Sequence, residues 1–138
     1  MSAYAPEKTE FNDKECLLAA LADNEVRSYK NVEVHEKPVN LVGYHGDLRQ
    51  QVAEIIIRRK DIGNASNDIG FAKAEDGTYT AIISDYDSHQ HNGRWMTAVK
   101  ASYATKRFEK SAQEQGLKFL SREKVNGKMV TKYLKQGA

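Results

Sequence analysis

The stretch that decides the fold spans residues 69–84 and has the sequence IGFAKAEDGTYTAIIS. Its two halves are rich in apolar and β-branched residues, which favour strands. They flank Asp76-Gly77, a dipeptide typical of tight hairpin turns. A strongly β-branched run, Ile55-Ile56-Ile57, precedes them. We therefore expect a central strand over 52–59, followed by a hairpin of strands over 69–74 and 78–84.

Further strand signals lie on both sides of this stretch. Alternating apolar residues on either side of Pro38 predict extended chain over 31–44. Near the C-terminus, the Asn126-Gly127 dipeptide predicts a second hairpin, with strands over 117–125 and 129–134.

Two helices complete the predicted elements. The first begins with Asn12 as the N-cap, because Glu15 follows three residues later as in a capping box. It ends near Asp23-Asn24. The second runs from about Gly93 to Gln115 and ends at Gly116.

These elements predict an α+β fold, with a mostly antiparallel sheet of about five or six strands and two helices packed on one face. The 138 residues suit a single domain, 1–138. An apolar content of 40% and a charged content of 29% are ordinary for a globular protein. A lone cysteine, Cys16, excludes an internal disulfide, and its neighbours Leu17 and Leu18 predict a core position.

Charge is distributed unevenly along the chain. The formal net charge is +2, but residues 1–93 carry −6 and residues 94–138 carry +8. A basic C-terminal third can attract an acidic protein or a phosphate backbone. The alternative is that folding intermixes the two parts and neutralises them locally.

The long helix has two distinct sides at 100° per residue. One side, Ala101, Ala104, Thr105, Phe108 and Ala112, is mostly small and would allow close approach to a sheet. The other mixes aromatic and aliphatic residues with cations. We interpret it either as a partly buried side with solvated lysines or as an exposed recognition face. The residues predicted to bind a partner are Trp95, Lys100, Tyr103, Lys106, Arg107 and Lys110.

Two polar constellations are candidates for chemistry. Asp85, Asp87, His89 and His91 alternate along the chain, and in an extended segment all four would point to one side. Carboxylate and imidazole ligands suit zinc, manganese or iron, but a solvated loop is the competing interpretation. The acids Asp47, Glu54 and Asp68 near the isoleucine run allow a nuclease-like cluster, which no acid-x-Lys doublet supports.

No Gly-rich phosphate loop, nucleophile elbow or H-E-x-x-H motif occurs in the sequence. We therefore assign no catalytic residue, metal or cofactor, and an enzyme is not the favoured class. No apolar run approaches the roughly 20 residues of a membrane span. The first ten residues lack a signal-peptide pattern.

Several stretches resemble the hypothetical chloroplast open reading frame 35 family, a domain of unknown function found in plastids, cyanobacteria and some other bacteria, with cyanophages a further source. The resemblance implies an accessory role without an established activity. It implies a cytoplasmic location, in a cyanobacterium, a plastid stroma or a phage host. The stretches that carry it are Val42–Gly46, Ala53–Arg59, Asp68–Phe71, Asp76–Asp85, Ser102–Ala104 and Gly116–Leu134.

Three functions follow from these observations. The first is an adaptor that binds an acidic protein partner, with a ferredoxin-like protein as the candidate. The second is a single-stranded nucleic-acid-binding protein in which Trp95 and Tyr103 stack on bases. The third is a metal-dependent enzyme that uses the Asp85–His91 segment. Exposed hairpin edges also allow a homodimer, and no membrane association is expected.

Overall fold

The computed structural model describes residues 2–91 and 93–135, with the backbone alone at residues 117–120 and 135. Three short 3-10 helices, Asn24–Val26, Arg59–Asp61 and Asp87–His89, interrupt the loops. The longer elements are β1 (Tyr4–Lys8), α1 (Lys14–Ala22), β2 (Glu33–Val42), β3 (Leu48–Ile57), β4 (Ile69–Lys73), β5 (Tyr79–Ser84), α2 (Gly93–Glu114), β6 (Leu117–Val125) and β7 (Lys128–Lys135).

The chain divides into two compact units, one ending at Tyr103 and the other beginning at Ala104, so α2 contributes to both. The expectation of one domain over 1–138 stays a prediction.

The first unit contains a five-stranded, fully antiparallel sheet with the strand order β1-β5-β4-β3-β2. The central hairpin of β4 and β5 lies where the sequence predicts it, and Gly77 in its turn has a φ of +86°. The α+β prediction is therefore confirmed. The strand β1 was not foreseen; it pairs with β5, from Tyr4 opposite Ser84 to Lys8 opposite Thr80.

Alternation along the strands gives the sheet two different faces. One face packs against α1 and the first half of α2, as the prediction of two helices on one face requires. The opposite face carries a smaller cluster of Leu41, Ala53, Ile56 and Ile82. Full burial of an aliphatic or aromatic side chain stabilises the fold by roughly 1.5–3 kcal/mol, so the helical face dominates. Its strand residues are Ile55, Ile57, Ile69, Phe71, Tyr79, Ala81 and Ile83.

The start of α1 differs by one residue from the prediction. Asp13, and not Asn12, is the N-cap, because its carboxylate accepts a hydrogen bond from the Cys16 amide at 2.9 Å. Asn12 instead accepts a hydrogen bond from the hydroxyl of Tyr103. Cys16 is buried in the core, as expected.

The two outer strands of this sheet, β1 and β2, each contain a proline. Pro6 lies in β1 and Pro38 in β2, and the chain has no other proline. Around Pro38 the register of β2 against β3 shifts between Val34 and Val39. Proline within a sheet is characteristic of edge strands, since it cannot donate to a neighbouring strand.

The second unit consists of the end of α2 and the antiparallel β6–β7 hairpin. Gly116, with a φ of +73°, follows the helix as predicted. Asn126 and Gly127 both have positive φ values, 51° and 79°, which is the backbone of a type I′ hairpin turn. The second predicted hairpin is thus confirmed.

Candidate functional site

The aromatic residues of the predicted binding face lie in the core. Trp95 is 5% exposed and Tyr103 is 9% exposed, and both pack with Met96 and Val99 against the sheet. An exposed recognition face that includes Trp95 and Tyr103 is therefore excluded.

The opposite, small-residue side of α2 would allow close approach to a sheet, and its members have mixed environments. Ala101 is exposed in the first unit, because the larger aromatic side chains release far more apolar surface from water than alanines do. In the second unit, Thr105 and Phe108 line a groove with residues of the β6–β7 sheet, and Ala112 is buried.

Tyr103 has a structural role in this arrangement. Its hydroxyl oxygen accepts hydrogen bonds from the amides of Asn12 and Asp13, both at 3.0 Å. Its ring lies 4.7 Å from that of Phe11. The Tyr103 side chain thereby connects α2 to the segment that precedes α1.

The cations of the predicted set have different environments. Lys100 is exposed in the first unit, whereas Lys106, Arg107 and Lys110 are half-buried in the second. Their role in binding a partner stays a prediction.

The second unit keeps the charge imbalance of the sequence. From Ala104 onward it has nine Lys and Arg against three Asp and Glu, a formal charge of +6, while the preceding residues have twelve against sixteen, or −4. On the hairpin, Lys124, Lys128 and Lys132 are exposed. Lys132 lies 3.7 Å from Glu123, a pair too exposed to neutralise the surface.

The second unit also exposes apolar side chains beside these cations. Phe108 is 58% exposed and Met129 is 56% exposed. The Phe108 ring lies 5.5 Å from the ring of Tyr133, and Arg122 forms an ion pair with Glu109. A shallow groove of about 280 Å³ in this unit is lined by Ala104, Thr105, Phe108, Arg122, Met129 and Thr131.

The segment from Asp85 to His91 is not extended, so its acidic and histidine side chains do not share one side. Residues Asp87–His89 form a 3-10 helix. Asp87 and His91 are buried, whereas Asp85 and His89 are exposed. Within residues 2–91 and 93–135, no group of three or more His, Cys, Asp or Glu side chains is arranged to hold a metal ion.

The carboxylate of Asp87 belongs to a buried polar network instead. It accepts hydrogen bonds from the Ser84 hydroxyl at 2.8 Å and from the Asn67 amide at 2.9 Å. The side-chain amide of Asn67 donates to the Ser84 hydroxyl. These contacts tie the loop before β4 to the end of β5.

The acids considered as a nuclease-like cluster have separate partners. Asp68 is fully buried and receives a hydrogen bond from Arg58, while Glu54 accepts one from the Lys73 amide. Asp47 lies 4.0 Å from Arg49. These contacts describe a stabilising network and do not assemble a catalytic centre.

A pocket lies beside the start of α2, and no sequence motif indicates it. It has a volume of about 340 Å³ and brings together residues that are far apart in the chain. Two arginines, Arg27 and Arg94, contribute to it, and Trp95 is its buried aromatic residue. The full lining is Glu25, Val26, Arg27, His89, Gln90, Arg94, Trp95 and Ala98.

A buried Tyr–His pair lies next to this pocket. The hydroxyl of Tyr29 is 2.6 Å from Nε2 of His91, and the His91 ring meets that of Trp95 edge-on at 4.8 Å. Burial, and then the nearby Arg27 charge, lowers the pKa of His91 from 6.5 to about 4. Burial raises the pKa of Tyr29. Near neutral pH, His91 is therefore uncharged.

A comparison with protein families supplies the classification. Residues 28–131 match a family described as "Protein of unknown function (DUF1257)". The chain belongs to this family. The DUF1257 region includes β2 to β5, all of α2 and the hairpin as far as Thr131. Neither the search of curated proteins nor the search of solved structures found a match.

Among the described residues, neither α1 nor α2 is long and apolar enough to cross a bilayer.

Proposed function

We propose that the protein is a non-enzymatic accessory module that binds an acidic protein partner through the unit that begins at Ala104. The observation that carries the proposal is the formal charge of +6 on this compact unit. Clustered positive charge accelerates association with an acidic partner and disfavours basic ones.

The exposed apolar residues of the same unit support a protein as the partner. Protein interfaces combine an apolar centre with a polar rim. Phe108 and Met129 supply apolar contact area, and Lys124, Lys128 and Lys132 supply charge. A ferredoxin-like protein is our candidate partner, because such proteins are acidic and the resemblance to the chloroplast family implies an accessory role.

A titration with purified plant-type ferredoxin tests this proposal. Binding should be strong at an ionic strength of about 0.01 M and much weaker at about 1 M, where the Debye length falls from roughly 30 Å to roughly 3 Å. The triple variant K124E/K128E/K132E should lose binding. The variant K14E/K30E/K60E makes the same charge change at exposed sites of the first unit and should retain it.

The two triple variants also decide whether the surface is specific. If both lose affinity equally, net charge alone governs binding and the assignment to this surface is wrong. Absence of ferredoxin binding at low salt would reject ferredoxin as the partner.

A second candidate function, binding of single-stranded nucleic acid, is favoured by the exposed Phe108 ring, which packs against the half-buried Tyr133 ring among cations. Bases stack on such rings with about 1–3 kcal/mol each. Trp95 and Tyr103, which the sequence suggested for this purpose, are buried. Fluorescence anisotropy should show a preference for single strands, with a large loss in Phe108→Ala and little in Met129→Ala. Equal losses in the two variants, or no binding at low salt, would exclude this function.

We also propose that the chain belongs to the plastid and cyanobacterial group represented by the chloroplast open reading frame 35 family, and acts in the cytoplasm or stroma. Five of the six stretches that carry this resemblance lie entirely within the DUF1257 match. Fractionation of cells that express the protein, with detection by antibody, tests the location. A homodimer also stays a prediction, and the concentration dependence of the sedimentation coefficient tests it.

A further inference from the structure

The pocket beside the start of α2 has the character of a small-molecule site. Its volume of about 340 Å³ lies within the range of ligand pockets, roughly 300–1,000 Å³. Every lining residue belongs to the first unit, whereas the basic surface that the proposed function uses belongs to the second.

The charged groups of the pocket favour an anion. Arg27 and Arg94 contribute two positive charges against one negative charge from Glu25. Arg94 and Trp95 lie in the first turn of α2, a helix of 22 residues. The amino end of a helix carries partial positive charge and amide groups that favour phosphates and carboxylates.

Trp95, a lining residue of the pocket, carries a buried donor without a partner among the described residues. Trp95 is 95% buried, and its indole Nε1 has no hydrogen-bond partner among the described residues. An indole nitrogen can only donate, so the group that satisfies it must be an acceptor. Buried polar atoms are rarely left unsatisfied, so this donor requires an explanation.

The backbone that presents Arg27 is conformationally unusual. Arg27 and Ser28 have φ values of 67° and 54°, in the left-handed region that residues other than glycine seldom adopt. The amide of Ser28 donates to the carbonyl of Asp23 at 3.0 Å, which stabilises this turn. Strained residues persist where surrounding contacts enforce them, and they concentrate at binding sites.

We propose that this pocket binds a small organic oxyanion, a phosphate or carboxylate group attached to an apolar body. The anionic group is held by Arg27, Arg94 and the amino end of α2. The apolar body lies against Val26, Trp95 and Ala98, which form the apolar part of the lining. A cationic ligand is disfavoured, because the two arginines repel it and the indole nitrogen cannot accept a hydrogen bond from it.

The chain itself provides the reporter for the test. Trp95 is its only tryptophan, so fluorescence excited at a wavelength that the seven tyrosines do not absorb reports on the pocket. The probes are inorganic phosphate, phenyl phosphate and benzoate, each added at constant ionic strength against chloride. We expect a saturable change in emission, with phenyl phosphate tighter than inorganic phosphate. If phenyl phosphate binds saturably, the anionic group of the ligand is assigned as a phosphate. If only benzoate binds saturably, it is assigned as a carboxylate.

Variants of the full-length protein connect the signal to the proposed contacts. Arg27→Gln and Arg94→Gln should each weaken phenyl phosphate binding about tenfold, as expected for loss of one charge-assisted hydrogen bond. Arg122→Gln makes the same change in the second unit and should bind normally. Calorimetry on Trp95→Phe tests the indole donor, since phenylalanine keeps the apolar ring, and a loss of affinity is expected.

Thermal unfolding by circular dichroism verifies that each variant is folded. Arg94 is exposed at the helix start, so Arg94→Gln keeps the test valid if Arg27→Gln does not fold. The proposal is overturned if no probe gives a saturable response, or if the response persists in both arginine variants. The ferredoxin titration is independent of this result, since it concerns the other unit.

Discussion

Arg58 and Asp68 form an ion pair in which the guanidinium Nη1 lies 2.7 Å from a fully buried carboxylate oxygen. The backbone amides of Val42 and Arg59 also donate hydrogen bonds to this carboxylate, both at 2.7 Å. Asp68 thereby joins the end of β2, the end of β3 and the start of β4.

Replacement of Arg58 by methionine should destabilise the protein by about 3 kcal/mol, since removal of one partner of a buried pair leaves the other charge uncompensated. The two remaining amide contacts keep the loss toward the lower end of the usual range. Urea unfolding measures it. Lys60→Met removes an exposed cation two residues away and should change stability by less than about 0.5 kcal/mol. Similar values for the two variants would contradict the importance of the pair.

Glu33 should make folding stability depend on pH in the acid range. The hydrogen bond from Arg58 lowers the pKa of Glu33 from 4.5 to about 2. The stabilisation is complete above pH 4.5 and is lost as the pH falls toward 2, because only the unfolded chain is protonated between these values. In Glu33→Gln the slope of unfolding free energy against pH should be smaller over this window.

Glu36→Gln, an exposed position on the same strand, is the matched control for Glu33 and should leave the slope unchanged. The effect is modest, because the Glu33 side chain is partly in contact with solvent. Equal slopes in wild type and Glu33→Gln would disprove the assignment.

His91 should make folding stability depend on pH in a second range, at higher pH than Glu33. Because burial lowers its pKa from 6.5 to about 4, the unfolded chain takes up a proton between these values while the folded protein does not. Stability should therefore decrease as the pH falls from about 6.5 to 4. His91→Gln should remove this part of the decrease in urea midpoints, whereas His89→Gln, at an exposed neighbour, should not. A decrease that persists unaltered in His91→Gln would refute the argument.

Gly70 lies where the sheet leaves no room for a side chain. A Cβ atom at this position would be 2.8 Å from the Cβ of Ala53 and 3.0 Å from a methyl carbon of Leu41. Gly70→Ala should destabilise the protein by about 1–3 kcal/mol, the usual cost of overpacking. A Cβ atom at Gly93 would meet no atom of the described residues within 4 Å, so Gly93→Ala should be neutral or slightly stabilising. Thermal melting of both variants measures the difference.

Replacement of Tyr103 distinguishes a structural role of this residue from a role in binding a partner. Tyr103→Phe removes the acceptor of the Asn12 and Asp13 amides and should destabilise the protein by about 1–3 kcal/mol. Ferredoxin or oligonucleotide binding should be unchanged. Tyr86→Phe, at an exposed tyrosine, should affect neither property. A loss of binding without a loss of stability in Tyr103→Phe would contradict the structural role assigned to this hydroxyl.

Local patterns in the sequence predicted most of the regular elements. Asp76-Gly77 and Asn126-Gly127 define their hairpins through backbone preferences that need no distant partner. The edge strand β1 was missed because Tyr4–Lys8 has a proline and two charged residues, and it becomes a strand through pairing with β5, about eighty residues away. The start of α1 differs by one residue because the Cys16 amide donates its hydrogen bond to Asp13 and not to the adjacent Asn12.

The candidate sites were harder to predict than the fold. On α2, the small residues indicated a packed side and the cations indicated an exposed side. The burial of Trp95 and Tyr103 instead determined which side of the first half of α2 faces the five-stranded sheet. The pocket beside α2 is assembled from residues 25–27, 89–90 and 94–98. No spacing within one segment indicates such a combination, because it depends on how the loop after α1 returns to α2.

The two prolines have a consequence for how the protein behaves at high concentration. A sheet rich in isoleucine and valine is prone to grow by adding strands from other molecules at its borders. With Pro6 at one border and Pro38 at the other, neither outer strand offers an uninterrupted row of amide donors to an incoming chain. The five-stranded sheet is thereby protected from fibril-like aggregation at both borders, and removal of either proline should expose that hazard.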